Sequence, residues 1–246
     1  MLASVLCQIA GKHIPIYPGS EDPLSGSQKQ PRAPQATALS NWNHEKRFPQ
    51  GQATEFLRET IHNHPGDVFL LCIGPLTNIG LLFRADARIS SILKGLVMMC
   101  GVFTDAVTSV RPVEWNAMCD PVATAIVYQA SAKIHRSIGL DVTTRVTMDE
   151  RIFRERSCFD LHKPVLDFAE TWFKQRATVT FHDPLAAATI FNERICTFQK
   201  GAVEVDLKDG PLKGRTNWRP DELGKHEVAV GVDTKRFFEE YFSVFQ

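Results

Sequence analysis

Two continuous apolar runs, VFLLCI at Val68 to Ile73 and LVMMC at Leu96 to Cys100, constrain this chain more than any other feature. Each has the length of a strand, and neither shows the alternation of a strand with one wet face, so both faces need apolar cover. Alternating strand and helix units provide that cover in a parallel sheet. After the first run Gly74 and Pro75 lead into LTNIGLLFRADA, which has helical spacing. After the second, a loop through Val102 to Ala117 precedes a helix opening at Asp120 and Pro121. IHRSIGL, Ile134 to Leu140, and TVTF, ending at Phe181, read as strands of a third and a fourth unit, with helical stretches around residues 150–156 and 165–176 between them. The tail reads as strands VEVDL and EVAVGV and a last helix, TKRFFEEYFSVF. The expected fold is α/β, a doubly wound, mostly parallel sheet flanked by helices, forming a single domain over residues 1–246. Ligands of such sheets bind beyond the carboxyl ends of the strands, so a site is expected in the loops after Ile73, Cys100 and Phe181.

Ahead of the first run, MLASVLCQIAGKH reads as a helix feeding a short strand, IPIY, at Ile14 to Tyr17. Residues 20–50 turn to Pro, Ser, Gln and Asn and read as a long surface loop, and ATEFLRETIHNH then resumes helical spacing. The 28 basic and 28 acidic residues cancel without any block of like charge. The broad field that gathers nucleic acid or anionic membrane is therefore missing, and a small, uncharged or locally recognised ligand is expected. The six cysteines are scattered, with neither a disulfide ladder nor a C-x-x-C clip, which suits reduced thiols in an intracellular, cytoplasmic protein. The start lacks a positive n-region, and no apolar run approaches the length of a membrane span.

Three small constellations fall at the expected strand ends. Asp183 precedes Pro184, and Asp120 precedes Pro121. Either pair reads as a helix start, since an Asp side chain accepts from free helix amides and Pro suits the first turn. Glu114 and Asn116 in VEWN occupy alternate positions, so in an extended backbone their side chains share one face and Trp115 points the other way. Without a ligand the same residues read as a loop with a buried Trp and two solvated polar groups. His182 reads either as a satisfied polar residue at a strand end or as an acid–base group. There is no P-loop, dinucleotide fingerprint, H-E-x-x-H or G-x-S-x-G.

Taken in order, CIGPLTNIGLLF, LVMMCGV, VEWNAMCDPVATAIVYQA, IGLDVTTRVT and FHDPLAAA resemble the calcium-dependent nucleoside hydrolases of the inosine-uridine preferring type. The resemblance implies hydrolysis of the N-glycosidic bond of a ribonucleoside to ribose and free base, through an oxocarbenium-like sugar. It implies a Ca²⁺ ion with the Asp183 carboxylate and the Ile73 carbonyl among its ligands. His182 matches the group that helps the base depart. Glu114 and Asn116 match groups that hold the ribose hydroxyls, and Met99 and Trp115 match apolar neighbours of sugar and base. A homo-oligomer is implied by resemblance alone.

The sequence departs from that pattern in places. The family's aspartate-rich loop, D-x-D-x-x-x-D-D, which provides further calcium ligands and the base for water, is absent from the chain. The chain therefore resembles a member without its N-terminal β-α-β section. The calcium site is expected to be incomplete and catalysis impaired, the alternative being a non-catalytic module that binds nucleoside or a partner. Cys100 replaces a glycine in MCG, the loop from Phe103 to Pro112 lacks an asparagine often used on the sugar, and WNHEKRF replaces a sequence rich in His and Gly.

Overall fold

The computed structural model describes residues 1–245. Its strands are β1 (Phe69–Cys72), β2 (Gly95–Met98), β3 (His135–Ser137), β4 (Thr147–Asp149), β5 (Thr178–Thr180), β6 (Cys196–Val205), β7 (Thr216–Pro220) and β8 (His226–Val232). The main sheet has six strands in the order β1-β2-β3-β8-β6-β7. β1, β2, β3 and β8 run parallel, while β6 lies antiparallel between β8 and β7. The architecture is thus α/β with a mixed, mostly parallel sheet flanked by helices.

The apolar runs behave as their continuity requires. All four residues of β2 are buried, and successive side chains point to opposite faces of the sheet. Val97 and Met99 enter a core with Ile138, Leu185 and Phe237. Leu96 and Met98 enter the opposite core with Leu70, Leu82 and Val127. On that second face the helices Thr77–Ala85 and Pro121–Tyr128 pack together, with Gly80 at the crossing. A Cβ on Gly80 would stand 2.9 Å from the Cβ of Ala123, so the contact needs a residue without one.

Two expected strands are corrected. Residues 14–17 form no strand: no neighbouring strand pairs with them, and Tyr17 instead packs against Phe56 with tilted rings, centroids 4.5 Å apart. β5, the strand before FHDP, does not join the main sheet but pairs antiparallel with β4 in a separate ribbon. Its three residues are partly or fully exposed, so their β-branched character reports strand propensity without central burial. The long loop is irregular apart from a 3-10 helix at Pro34–Asn41. It is nonetheless tied down: Ser20 N donates to Asn78 Oδ1 (2.8 Å), Leu24 N to Asp120 Oδ2 (2.7 Å) and Trp42 Nε1 to Asp167 Oδ2 (2.9 Å). Asp120 also caps its helix as expected, accepting from Ala123 N at 3.0 Å. Among the described residues no helix is long and apolar enough to cross a membrane.

The pairing of β3 with β8 brings His135 and His226 together inside the sheet, ring centroids 4.2 Å apart and 2% and 4% exposed. His226 Nε2 meets Ser137 Oγ (2.9 Å), which meets Tyr128 Oη (3.0 Å). His135 Nε2 and His226 Nδ1 have no partner. Burial pulls His135 down to about 4 and His226 well below the ordinary imidazole range. Both rings are therefore neutral when folded and take up protons near pH 6.5 when unfolded, so the unfolded state binds more protons below that pH. Their contribution is intact above about pH 6.5 and is lost as pH falls toward 4, by roughly 3 kcal/mol for His135. The urea midpoint should drop between pH 7 and pH 4.5, and His135→Phe should flatten that slope. An unchanged slope in the variant would remove His135 as its source.

Candidate functional site

A cavity of about 400 Å³ opens beyond the carboxyl ends of the parallel strands. Its lining includes Ile73, just past β1, Met99, just past β2, and Leu140 after β3, together with Glu114, Trp115, Asn116, His182 and Asp183. All seven residues singled out from the sequence thus face one space. Arg111, Val113, Met118 and Leu140 also line it without having been anticipated. Arg111 and Val113 lie in a loop with no periodic signal, and Met118 and Leu140 fall within the quoted motifs without any feature that singles them out.

The wall containing Glu114 is built differently from the extended strip expected for VEWN. Glu114 is extended, but it caps a short helix, Trp115–Cys119. Its carboxylate accepts from Asn116 N (2.8 Å), Ala117 N (3.0 Å) and Gly101 N (3.2 Å). The helical turn that follows puts Trp115, 45% exposed, on the same cavity as Glu114 and Asn116, so the opposed placement of Trp115 and its burial are both corrected. Burial raises the Glu114 pKa, and the three amide bonds work against that rise. Gly101, at φ +92°, turns the chain after β2 so that its amide can point at Glu114. Asn116 Nδ2 donates to the Met99 carbonyl at 2.9 Å, which joins this wall to the end of β2.

The opposite wall is the helix His182–Phe191, which packs on β1 and β2. Phe181 precedes it, and Leu185 N makes the first turn's bond to the Phe181 carbonyl at 3.2 Å. Pro184 fits because amides of a first helical turn have no intrahelical partner. Asp183 therefore lies inside the first turn, and its side chain makes no cap bond, contrary to the simple cap reading. His182 Nδ1 meets the Thr143 hydroxyl at 2.8 Å. Burial, and then the Arg111 charge, hold the His182 imidazole below its usual range.

Asp183 is partly buried, and burial pushes its carboxyl up to about 6. Among the described residues neither this carboxylate nor the Ile73 carbonyl has a hydrogen-bond partner. An unpaired, desolvated carboxylate and a free carbonyl, on two residues that line one cavity, are hard oxygen donors of the kind that suits Ca²⁺. The fit is partial, because the described residues hold no group of three His, Cys, Asp or Glu side chains able to bind a metal ion.

Comparison with known proteins gives a consistent result. The sequence model described as inosine-uridine preferring nucleoside hydrolase matches residues 2–239. The chain is 30% identical over 232 residues to a probable uridine nucleosidase 2 of Oryza sativa subsp. japonica, covering 87% of this chain and 68% of that protein. It is 29% identical to uridine nucleosidase 1 of Arabidopsis thaliana, covering 84% of this chain and 65% of the relative. This chain therefore spans about two thirds of the length of these relatives. A purine-preferring ribonucleoside hydrolase from Gardnerella vaginalis has the same fold, with a TM-score of 0.82 at 22% identity over 98% of this chain and 83% of that one. The apolar strands, the cavity at their carboxyl ends and these matches lead to one conclusion: the chain belongs to the inosine-uridine preferring nucleoside hydrolases, a family of N-glycosyl hydrolases.

Proposed function

We propose that this chain forms the sugar- and base-binding part of a site that hydrolyses the N-glycosidic bond of a ribonucleoside, giving ribose and free base. The observation that carries the reading is the convergence of Ile73, Met99, Glu114, Trp115, Asn116, His182 and Asp183 on one cavity. Uridine is the first ribonucleoside to test, since two plant relatives are named for it.

In this reading the Asn116 amide oxygen, the half that Met99 does not engage, is offered to a ribose hydroxyl. Trp115 covers the apolar face of sugar or base. Glu114, with both carboxylate oxygens occupied by amides, shapes the wall and takes a ribose hydroxyl through remaining lone pairs. His182 is neutral at neutral pH because its pKa is lowered. With the Thr143 hydroxyl donating a hydrogen bond to Nδ1, the ring hydrogen sits on Nε2, the tautomer that donates to a departing base.

The Asp183 carboxylate and the Ile73 carbonyl would hold part of a Ca²⁺ shell. When bound, the ion supplies Lewis acidity to a water and to sugar hydroxyls. Two oxygens fall short of the roughly six to eight that Ca²⁺ takes, and among the described residues no second unpaired carboxylate lines the cavity to deprotonate the water. The chain by itself is therefore proposed to bind nucleoside with little or no turnover.

Calorimetry with uridine and Ca²⁺ at pH 7.5 should show binding while ribose release stays near background. The calcium dependence should vanish in Asp183→Asn and weaken at pH 5.5, where protons compete for a carboxyl titrating near 6. Binding indifferent to that substitution removes the metal role, and ribose release at the rate of a full-length relative removes the impairment. Glu114→Ala should separately lower stability by about 2–4 kcal/mol in urea unfolding, because three buried amides lose their acceptor. A loss below about 0.5 kcal/mol would show that water replaces the carboxylate there.

A further inference from the structure

A second cavity, of about 280 Å³, adjoins the first at Met118, which lines both spaces. Cys119 and Pro121 continue its floor, and two loops form its sides. One loop contributes Ser25, Ser27 and Lys29, and the other contributes Lys213. Both loops are anchored on the floor segment itself. Leu24 N, directly before Ser25, donates to Asp120 Oδ2 at 2.7 Å. Gly214, directly after Lys213, lies so close to the helix Trp115–Cys119 that a Cβ on it would stand 2.8 Å from the Ala117 carbonyl oxygen. Tertiary packing therefore holds the two lysine-bearing loops around one space.

The lining has one sign. It includes two ammonium groups and two hydroxyls, and no carboxylate. Among the described residues Lys29 makes no salt bridge. The side-chain bonds of its loop involve Ser20, Gln28 and Asp120, and leave the hydroxyls of Ser25 and Ser27 and the Lys29 ammonium without a protein partner. Lys213 meets Asp209 Oδ1 at 2.8 Å, but the Asp209 side chain is 95% exposed, and an exposed pair of this kind competes weakly with an incoming anion. Asp120, the acid within the floor segment, is fully buried and already engaged by Leu24 N, Thr77 Oγ1 and Ala123 N.

Donors gathered without an acceptor define a ligand by the acceptors it must bring. A phosphate group carries about −1.5 to −2 of charge near neutral pH and at least three acceptor oxygens, which ammonium and hydroxyl groups on two sides of a cavity can engage together. A carboxylate brings roughly half that charge and only two oxygens. We propose that this second cavity is a phosphate-binding site, filled by free phosphate or by a phosphate on a ligand whose nucleoside part occupies the first cavity. The free ion needs only the lining of the second cavity, whereas the nucleotide rests also on the nucleoside reading above. Met118 belongs to the helix that presents Trp115 and Asn116 to the first cavity, so a phosphate held here lies against the wall assigned to the nucleoside.

Calorimetric titration of the whole chain with inorganic phosphate, at pH 7.5 and at an ionic strength held constant with NaCl, tests the site without requiring turnover. Phosphate should bind with a Kd of about 1 mM or tighter. Lys29→Gln combined with Lys213→Gln should weaken it about ten-fold or more, as expected for loss of charge-assisted hydrogen bonds. Lys29→Gln alone, on an exposed loop, gives the same reading if the double variant fails to fold. Lys174→Gln removes the same charge from an exposed lysine outside the lining and should change nothing. A gain of about ten-fold for uridine 5′-monophosphate over uridine, lost in the double variant, assigns the phosphate to a nucleotide. Phosphate and uridine binding side by side, without that gain, assigns it to the free ion. Phosphate binding untouched by the lysine variants, or weakened as much by Lys174→Gln, overturns the proposal. If uridine binds while phosphate does not and the monophosphate gains nothing, only this inference fails. If phosphate binds and uridine does not, the phosphate site stands and the nucleoside reading fails.

Discussion

The cavity depends on one buried anion. Glu114 stands at 3% exposure and gathers amides from two places, the turn at Gly101 after β2 and the first turn of the helix at Trp115. Desolvating a carboxylate is costly, and three amide donors offset that cost only while both segments hold their places. The wall is thus fixed by electrostatics as much as by packing, and Asn116 and Trp115 inherit their positions from it. Asp141 plays the corresponding part for the next loop, accepting from Phe103 N and Thr104 N at 3.0 and 2.8 Å. Two buried carboxylates thereby order the loops that follow β2, where a parallel sheet puts its ligands.

Across the cavity the logic is reversed. Asp183 is desolvated without being paired, and His182 is held neutral by burial and by Arg111. Groups left in that condition cost stability and are typical of sites that complete their interactions with a ligand. The contrast between satisfied and unsatisfied polar groups separates the residues that build the cavity from those that await something in it.

The central strands and the helices between them were legible in the sequence because burial on two faces leaves a continuous apolar run, and VFLLCI and LVMMC are such runs. The membership of β5 was not legible, since TVT has β propensity whether it sits in a sheet centre or a two-stranded ribbon. The convergence of Ile73 with Asp183 could be anticipated from strand ends, although helix packing on β1 and β2, and not strand adjacency, brings it about. The helical turn at Trp115 was hidden because VEWN carries the alternation of a strand, and only the cap at Glu114 discloses it. Arg111 was invisible for a simpler reason: one exposed arginine in a polar loop has no pattern of its own.

Phe181, immediately before His182, lies in an aromatic cluster with Phe237, Phe238 and Tyr241, ring centroids 5.7, 5.3 and 5.2 Å away. These partners belong to the last helix, Thr234–Ser243, which lines no part of the cavity. The helix at the far end of the chain thus works as a bracket for the imidazole and the carboxylate. Repacking within that cluster would tilt the first turn after Phe181 and reach the chemistry from a distance, with no substitution among the groups that touch a ligand.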